Sequence, residues 1–262
     1  GGGGRENING KKVKDKRRGS ERVIEETKKI CHIPVIASIN CYSDSEWVDF
    51  ATMMEKAGAD ALEINILSLQ TDKDYTPGSF EQRHIDILCH IKKVVKIPVI
   101  MKLGSNLTNP VALINQLYAN GAAAVVLFNR FYQTDINIDT MAFTSANVMS
   151  TPNELPDRLR WTAIASAAVP RLDYAVSGGV HCGKGVIKSI LAGAAAVEVC
   201  SVIYQYGAKE IENMKKELSE WMDEKSYESL SQFKGKMNAE SAGEINPFER
   251  TQFMRYYSNR EE

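Results

Sequence analysis

Lys56-Ala57-Gly58-Ala59-Asp60-Ala61-Leu62-Glu63-Ile64 decides the fold, because the same pattern returns twice. Ala119-Asn-Gly-Ala-Ala-Ala-Val-Val-Leu and Leu191-Ala-Gly-Ala-Ala-Ala-Val-Glu-Val repeat it, each placing a glycine where a helix should end and an apolar run of strand length just after. Gly58, Gly121 and Gly193 suit the left-handed conformation that closes helices. A second echo, His32-Ile-Pro-Val-Ile and Lys96-Ile-Pro-Val-Ile, puts proline at the first residue of a strand, where no ladder donor is required. The repeating unit is therefore βα.

Working outward, strands are expected at Pro34 to Asn40, Ala61 to Leu67, Pro98 to Gly104, Ala123 to Asn129, Tyr174 to Val180 and Ala196 to Val202. Their interiors are rich in Val, Ile, Leu and Ala with little polar alternation, as in strands covered on both faces. Helices are expected at Glu46 to Lys56, Phe80 to Val95, Pro110 to Ala119, Arg158 to Val169 and Gly183 to Leu191, followed by two more, Glu210 to Lys225 and Tyr227 to Met237. The fold class is α/β, a TIM-type (β/α) barrel with six strands visible. Two segments divide the chain: residues 1–30, a basic flexible N-terminal segment and first helix, and residues 31–262, the barrel domain with C-terminal helices and tail. The stretch Gly1 to Ser20 carries Lys11, Lys12, Lys14, Lys16, Arg17 and Arg18 with little to bury, and reads as a solvated tail. The tail from Ala242 to Glu262, with Phe248, Phe253, Tyr256 and Tyr257, either wraps the barrel or meets another subunit.

The 262 residues carry 32 Lys and Arg against 33 Asp and Glu, so no global field favours nucleic acid or an anionic membrane, and a small-molecule partner is expected. Five scattered cysteines (Cys31, Cys41, Cys89, Cys182, Cys200) do not form a disulfide framework and suggest a reducing, cytoplasmic setting. No apolar run approaches the roughly 20 residues of a membrane span, and no signal peptide precedes the first strand. His32, His84, His90 and His181 lack metal-site spacing, so no metal is expected, and neither a GxGxxG nor a P-loop pattern occurs.

In parallel βα proteins, ligands gather at the carboxyl ends of the strands. Those ends carry Ser38 and Asn40, Asn65 and Ser68, Lys102 and Ser105, Asn129 and Arg130, Ser177 to Gly179, and Cys200 and Ser201. Half of these are explained by strand ends meeting water. Lys102 closes an otherwise apolar strand, where an unpaired ammonium would be costly, so it should face a ligand acceptor or else snorkel to solvent. Ser177-Gly-Gly-Val, followed one βα unit later by Val197-Glu-Val-Cys-Ser, suits phosphate, because glycines let backbone N–H groups approach an anion. A tight turn through Gly178 and Gly179 is the plain alternative.

Taken in order, these blocks resemble the dihydroorotate dehydrogenase family, from about Ile33 to about Tyr257. The strongest are Ala59-Asp-Ala-Leu-Glu-Ile-Asn-Ile, Pro98-Val-Ile-Met-Lys-Leu, and Ser177-Gly-Gly-Val through Val197-Glu-Val-Cys-Ser. The resemblance implies an FMN-dependent oxidoreductase acting on dihydroorotate or a related cyclic amide acid. It implies cofactor contacts from Ser38, Asn65, Lys102, Gly178, Gly179, Cys200 and Ser201, with Lys102 at the pyrimidine edge of the flavin and the last four at its phosphate. It implies substrate contacts from Asn65, Gln70 and Asn129, and Ser68 as the catalytic base. A homo-oligomer is expected.

Departures from the family pattern stand at Leu69 and Gln70, where a Pro and an Asn are usual, and at Arg130, whose guanidinium would be able to select a different anion. The Thr151 to Asp157 loop lacks the glycines the family presents beside the flavin. The family's first two strands have no visible counterpart in Gly1 to Ile30, so exposed sheet edges are expected. Two further readings stay open: a degenerate, non-catalytic flavin- or phosphate-binding barrel, and a flavin-free barrel synthase or isomerase using the same phosphate site.

Overall fold

The computed structural model describes residues 19–30, 32–40, 46–146, 149–239 and 247–249. Cys31, Cys41, the basic segment up to residue 18 and most of the C-terminal tail lie outside the described residues. The chain is an α/β protein in which parallel strands alternate with helices, the order of a partial TIM-type barrel. It divides into two compact units: residues 1–107 with 112–129, and residues 108–111 with 130–262.

The first unit begins with a helix over residues 19–30 (α1). There follow β1 (Ile36–Asn40), α2 (Glu46–Lys56), β2 (Ala61–Asn65), α3 (Ser79–Val94), β3 (Val99–Gly104), α4 (Pro110–Ala119) and β4 (Ala124–Asn129). The four strands are parallel and neighbour one another in chain order. Side chains alternate across a sheet. Ala37, Ile39, Leu62, Ile64, Val99, Met101, Leu103, Val125 and Leu127 are buried on one face. Ser38, Asn40, Glu63, Asn65, Ile100 and Lys102 alternate with them on the other.

Asp60 joins α1 to the start of β1: its Oδ2 accepts from Lys28 Nζ (2.8 Å) and from Val35 N (2.7 Å). Those contacts, Lys28 first, hold its carboxyl below the usual range.

The second unit starts with an antiparallel hairpin, β5 (Thr134–Asn137) and β6 (Ala142–Ser145). It continues through α5 (Leu155–Ala168), β7 (Asp173–Ser177), α6 (Gly183–Ala192), β8 (Ala196–Glu198), α7 (Ser201–Tyr206) and α8 (Lys209–Glu224). Strands β7 and β8 pair in parallel. Leu155, Val176, Val180, Val186, Ile190, Ala194, Met214 and Phe233 form its core. Phe233 is fully buried between Trp221 (5.0 Å between centroids) and Tyr227 (5.2 Å). Tyr174 is buried with its hydroxyl donating to Ala165 O (3.0 Å) and Val169 O (2.8 Å), and burial pushes its phenol up.

The glycine repeat appears as one hydrogen-bond pattern made three times. Gly58, Gly121 and Gly193 donate to Glu55 O, Tyr118 O and Ile190 O, and the following residues donate to Met54 O, Leu117 O and Ser189 O. This is the Schellman closure, with all three glycines at positive φ (101°, 94° and 125°). Two residues beyond each glycine, Asp60, Ala123 and Ala195 donate to Val35 O, Val99 O and Tyr174 O, which starts the next strand against its neighbour.

Several boundaries differ from the sequence expectation. β7 stops at Ser177 rather than Val180, because Gly178 and Gly179 turn the chain at φ 90° and 82°. β8 stops at Glu198 rather than Val202, because Ser201 opens α7. The second expected C-terminal helix, Tyr227 to Met237, is a short 3₁₀ turn at Leu230–Gln232 within other turns. There Ser229 and Gln232 form a capping box, and Ser226 and Gly235 take positive φ, which α-helix does not allow. The hairpin was not foreseen. It leaves Ile136, Ile138, Met141 and Phe143 each more than 60% exposed.

His84 gives the first unit a pH-sensitive point. It lies on the buried stripe of α3 with Phe80, Ile87, Leu88 and Ile91, its Nδ1 donating to Phe80 O (2.7 Å) while Nε2 has no partner. Burial is the main cause that lowers its pKa; the Phe80 carbonyl and Glu81 oppose it, and Arg83 adds to it. Between that depressed value and the ordinary value of about 6.5 the unfolded chain binds more protons, so stability is full above about 6.5 and is lost as pH falls toward the folded value. The loss is at most about 1.4 kcal/mol per pH unit per group. Urea midpoints at pH 7.5 and 5.5 should therefore differ more in the natural protein than in His84→Leu. Equal differences would remove His84 as the cause.

Candidate functional site

In the first unit, register sets the candidate residues side by side. Ser38 lies opposite Glu63, Asn40 opposite Asn65, and Asn65 opposite Lys102. The Ser38 hydroxyl donates to Glu63 Oε1 (3.0 Å), and Lys102 Nζ lies 3.9 Å from the same oxygen. Both charged side chains are largely buried, Lys102 at 15% and Glu63 at 10% exposed. Sequence reasoning expected a ligand acceptor for Lys102 and assigned Glu63 no pairing. The structure gives the ammonium a carboxylate neighbour, which offsets the cost of burying it. The signal was a glutamate two residues before Asn65 in an otherwise apolar strand.

Asn65 Oδ1 and Asn129 Nδ2 are both buried and both lack a hydrogen-bond partner. Leaving such atoms unpaired costs about 1–3 kcal/mol each. One is an acceptor and the other a donor. Asn129 closes β4, opposite Gly104 across a register shift between Leu103 and Gly104. Ser68 and Gln70 follow β2 and touch each other: Gln70 Nε2 donates to Ser68 Oγ (3.2 Å), and the Ser68 hydroxyl points to Leu69 O (3.5 Å). Asn106, which sequence reasoning missed, donates to Ser68 O (3.0 Å) and ties the loop after β3 to the loop after β2.

In the second unit, Gly178 and Gly179 follow β7, and Cys200 and Ser201 follow β8. A Cβ on Gly178 would lie 3.0 Å from Arg158 Nη2, and one on Gly179 only 2.5 Å from Leu155 N. Gly179 is thus required by the close approach of the α5 backbone, and both glycines by their φ values. Arg158, buried on α5, donates from Nε to Ser177 O (2.9 Å) and from Nη1 to Glu154 O (3.2 Å). Burial lowers its pKa, against the opposing pull of Glu154 and Asp157.

The Ser201 hydroxyl oxygen accepts from Ser150 N (3.0 Å), so its own proton is available to an acceptor such as a phosphate oxygen. Cys200 is an exposed free thiol. Arg130 differs from expectation: its Nε is bound to Glu154 Oε1 (2.7 Å), whose other oxygen accepts from Thr151 N (3.0 Å). Arg130 therefore braces the segment that opens α5.

Parallel strands alternating with helices, with polar side chains toward the carboxyl ends of the strands in each unit, make this a protein of the (β/α) class. Comparison with known proteins names the family. The family model for dihydroorotate dehydrogenase matches residues 8–222. The match begins upstream of Ile33 and ends short of Tyr257, the limits read from sequence. The chain is 30% identical over 207 residues to the catalytic subunit of dihydroorotate dehydrogenase B (NAD(+)) of Thermoplasma volcanium, covering 77% of this chain and 67% of that protein. It is 28% identical over 211 residues to the corresponding subunit of Anoxybacillus flavithermus, covering 78% and 66%. A 75-residue stretch is 39% identical to a probable dihydroorotate dehydrogenase A (fumarate) of Enterococcus faecalis, covering 29% and 24%. The chain belongs to the dihydroorotate dehydrogenase family, and its longer matches span about two thirds of those relatives.

Proposed function

We propose that this chain is an FMN-dependent oxidoreductase that oxidises dihydroorotate or a related cyclic amide acid. The observation that carries the reading is the pair of buried, unpartnered amide atoms, Asn65 Oδ1 and Asn129 Nδ2, in a chain of this family. Ser38, Asn65 and Lys102 would hold the flavin ring end, and Gly178, Gly179, Cys200 and Ser201 its phosphate. Asn65, Gln70 and Asn129 would hold the substrate. When bound, FMN would supply the hydride acceptor.

The protein's own part is electrostatic and geometric. Lys102, with its Nζ 3.9 Å from Glu63 Oε1, stabilises negative charge where the pyrimidine edge would lie. The two asparagine amides orient the ring that gives up hydride and proton. Ser68 is the proton-accepting position, and it needs a water or amide relay to act as base.

The related reading, a barrel that retains flavin or phosphate without turnover, is favoured by one contact: Gln70 donates to the Ser68 oxygen that would have to take the proton. A homo-oligomer and a cytoplasmic location complete the proposal, supported by the exposed apolar hairpin and by the free thiols of Cys89, Cys182 and Cys200. No described helix is long and apolar enough to cross a membrane.

The test is the visible spectrum of protein reconstituted with FMN, then anaerobic addition of dihydroorotate. A retained flavin band that bleaches is the expected result. A band that persists would reject this substrate, and failure to retain FMN would reject the cofactor.

A further inference from the structure

Ser201 does not stand alone. Its oxygen accepts from Ser150 N, and the Ser150 hydroxyl is in turn 3.0 Å from His181 Nε2. All three residues belong to the second unit and are half-buried. His181 comes two residues after Gly179, so the ring is carried by the same turn that follows β7. Ser150 comes from the segment before α5, whose next residues are held by Glu154 through Thr151 N.

The direction of these bonds matters. With one lone pair of Ser201 Oγ taken up by an N–H, the hydroxyl proton is the group left to offer, and it suits an anionic oxygen. Ser150 can deliver its N–H only while its own position is kept, and its side chain is anchored on the His181 ring. Ser150 and His181 also line a cleft of about 490 Å³ with Thr151, Gln205 and Glu210. The Glu210 carboxylate disfavours an anion inside that cleft, and Ser201 is not among the residues that line it.

We infer that Ser150 and His181 are positioning residues that orient the Ser201 hydroxyl as a donor to the phosphate group of the flavin nucleotide, an inference that rests on the cofactor reading above. Neither residue touches the phosphate. Each acts through the next, so the effect should fall on recognition of the phosphate and spare recognition of the ring.

Riboflavin, which lacks the phosphate, separates the two. Dissociation constants for FMN and riboflavin are measured by quenching of flavin fluorescence, for the natural protein, His181→Ala, Ser150→Ala, His181→Gln and, as reference, Ser201→Ala. The expected result is FMN affinity weaker by about three- to tenfold in His181→Ala and Ser150→Ala, the size of one lost hydrogen bond. Riboflavin affinity should stay within about twofold on the same scale, and His181→Gln, which retains a hydrogen-bonding group, should recover part of the loss.

Unchanged FMN affinity in both alanine variants would overturn the inference. So would equal losses for FMN and riboflavin, which would mark a general structural role. Natural protein that prefers FMN no more than riboflavin would overturn it while leaving the ring site standing. Natural protein that binds neither would overturn the cofactor reading and this inference with it.

Discussion

Gly179→Ala should unfold at a much lower urea concentration than the natural protein, with a loss of roughly 2–6 kcal/mol from positive-φ strain and overpacking together. The chain turns there at φ 82°, and an added Cβ would come within 2.5 Å of Leu155 N and 2.9 Å of Leu155 Cα. Those are backbone atoms at the start of α5 and cannot step aside as a side-chain tip can. A typical domain has only about 5–15 kcal/mol of stability in all, so the variant should be partly unfolded before any question of ligand arises.

Gly178→Ala is the internal comparison. Its Cβ would meet the Arg158 guanidinium at 3.0 Å, the far end of a long side chain, so the smaller loss, about 1–3 kcal/mol, should come mainly from φ strain. A Gly179→Ala midpoint equal to that of the natural protein would mean that α5 does not pack here as described.

Lys102→Met should lower stability by about 1–3 kcal/mol, because it leaves the Glu63 carboxylate largely buried without its neighbouring cation. The figure is below that of a fully buried pair, since the groups stand 3.9 Å apart and both retain some contact with solvent. On the proposed function the same change should slow bleaching of bound FMN by about a hundredfold or more, the scale seen when one preorganised electrostatic group is removed. The two effects can be pulled apart. Adding Glu63→Gln removes the carboxylate charge and should restore much of the lost stability, while bleaching stays slow. If the double variant bleaches as fast as the natural protein, the charge of Lys102 has no part in the chemistry.

Much of the fold was legible because it rests on local rules. The three glycine-closed helices were readable from Lys56–Ile64 and its two echoes, since a helix that ends in a left-handed residue and turns at once into an apolar strand is a pattern of neighbours. Ser38, Asn65, Lys102 and Asn129 were readable as polar residues toward strand ends for the same reason, whereas Ser201, expected within a strand, opens α7. The hairpin was not. Its strands are four residues each and exposed, so Ile136 and Phe143 are not held to the buried pattern that marks a strand. The Tyr227 to Met237 segment misled because its apolar spacing suits a helix, and the pull of Phe233 into the core between Trp221 and Tyr227 took precedence over that spacing.

What the sequence by itself determined is the order of βα units, the family, and which chemical groups are available at the strand ends. What only the tertiary structure decided is which of those groups are already engaged. Glu63 stands by Lys102, Glu154 binds Arg130, and Leu155 and Arg158 crowd the two glycines, while Asn65 Oδ1 and Asn129 Nδ2 are left with nothing. The reason is physical. Helix closure and strand alternation follow from the conformations of adjacent residues, whereas the cost of a buried charge or an unpaired amide depends on groups about 20 to 40 positions away that only folding brings close.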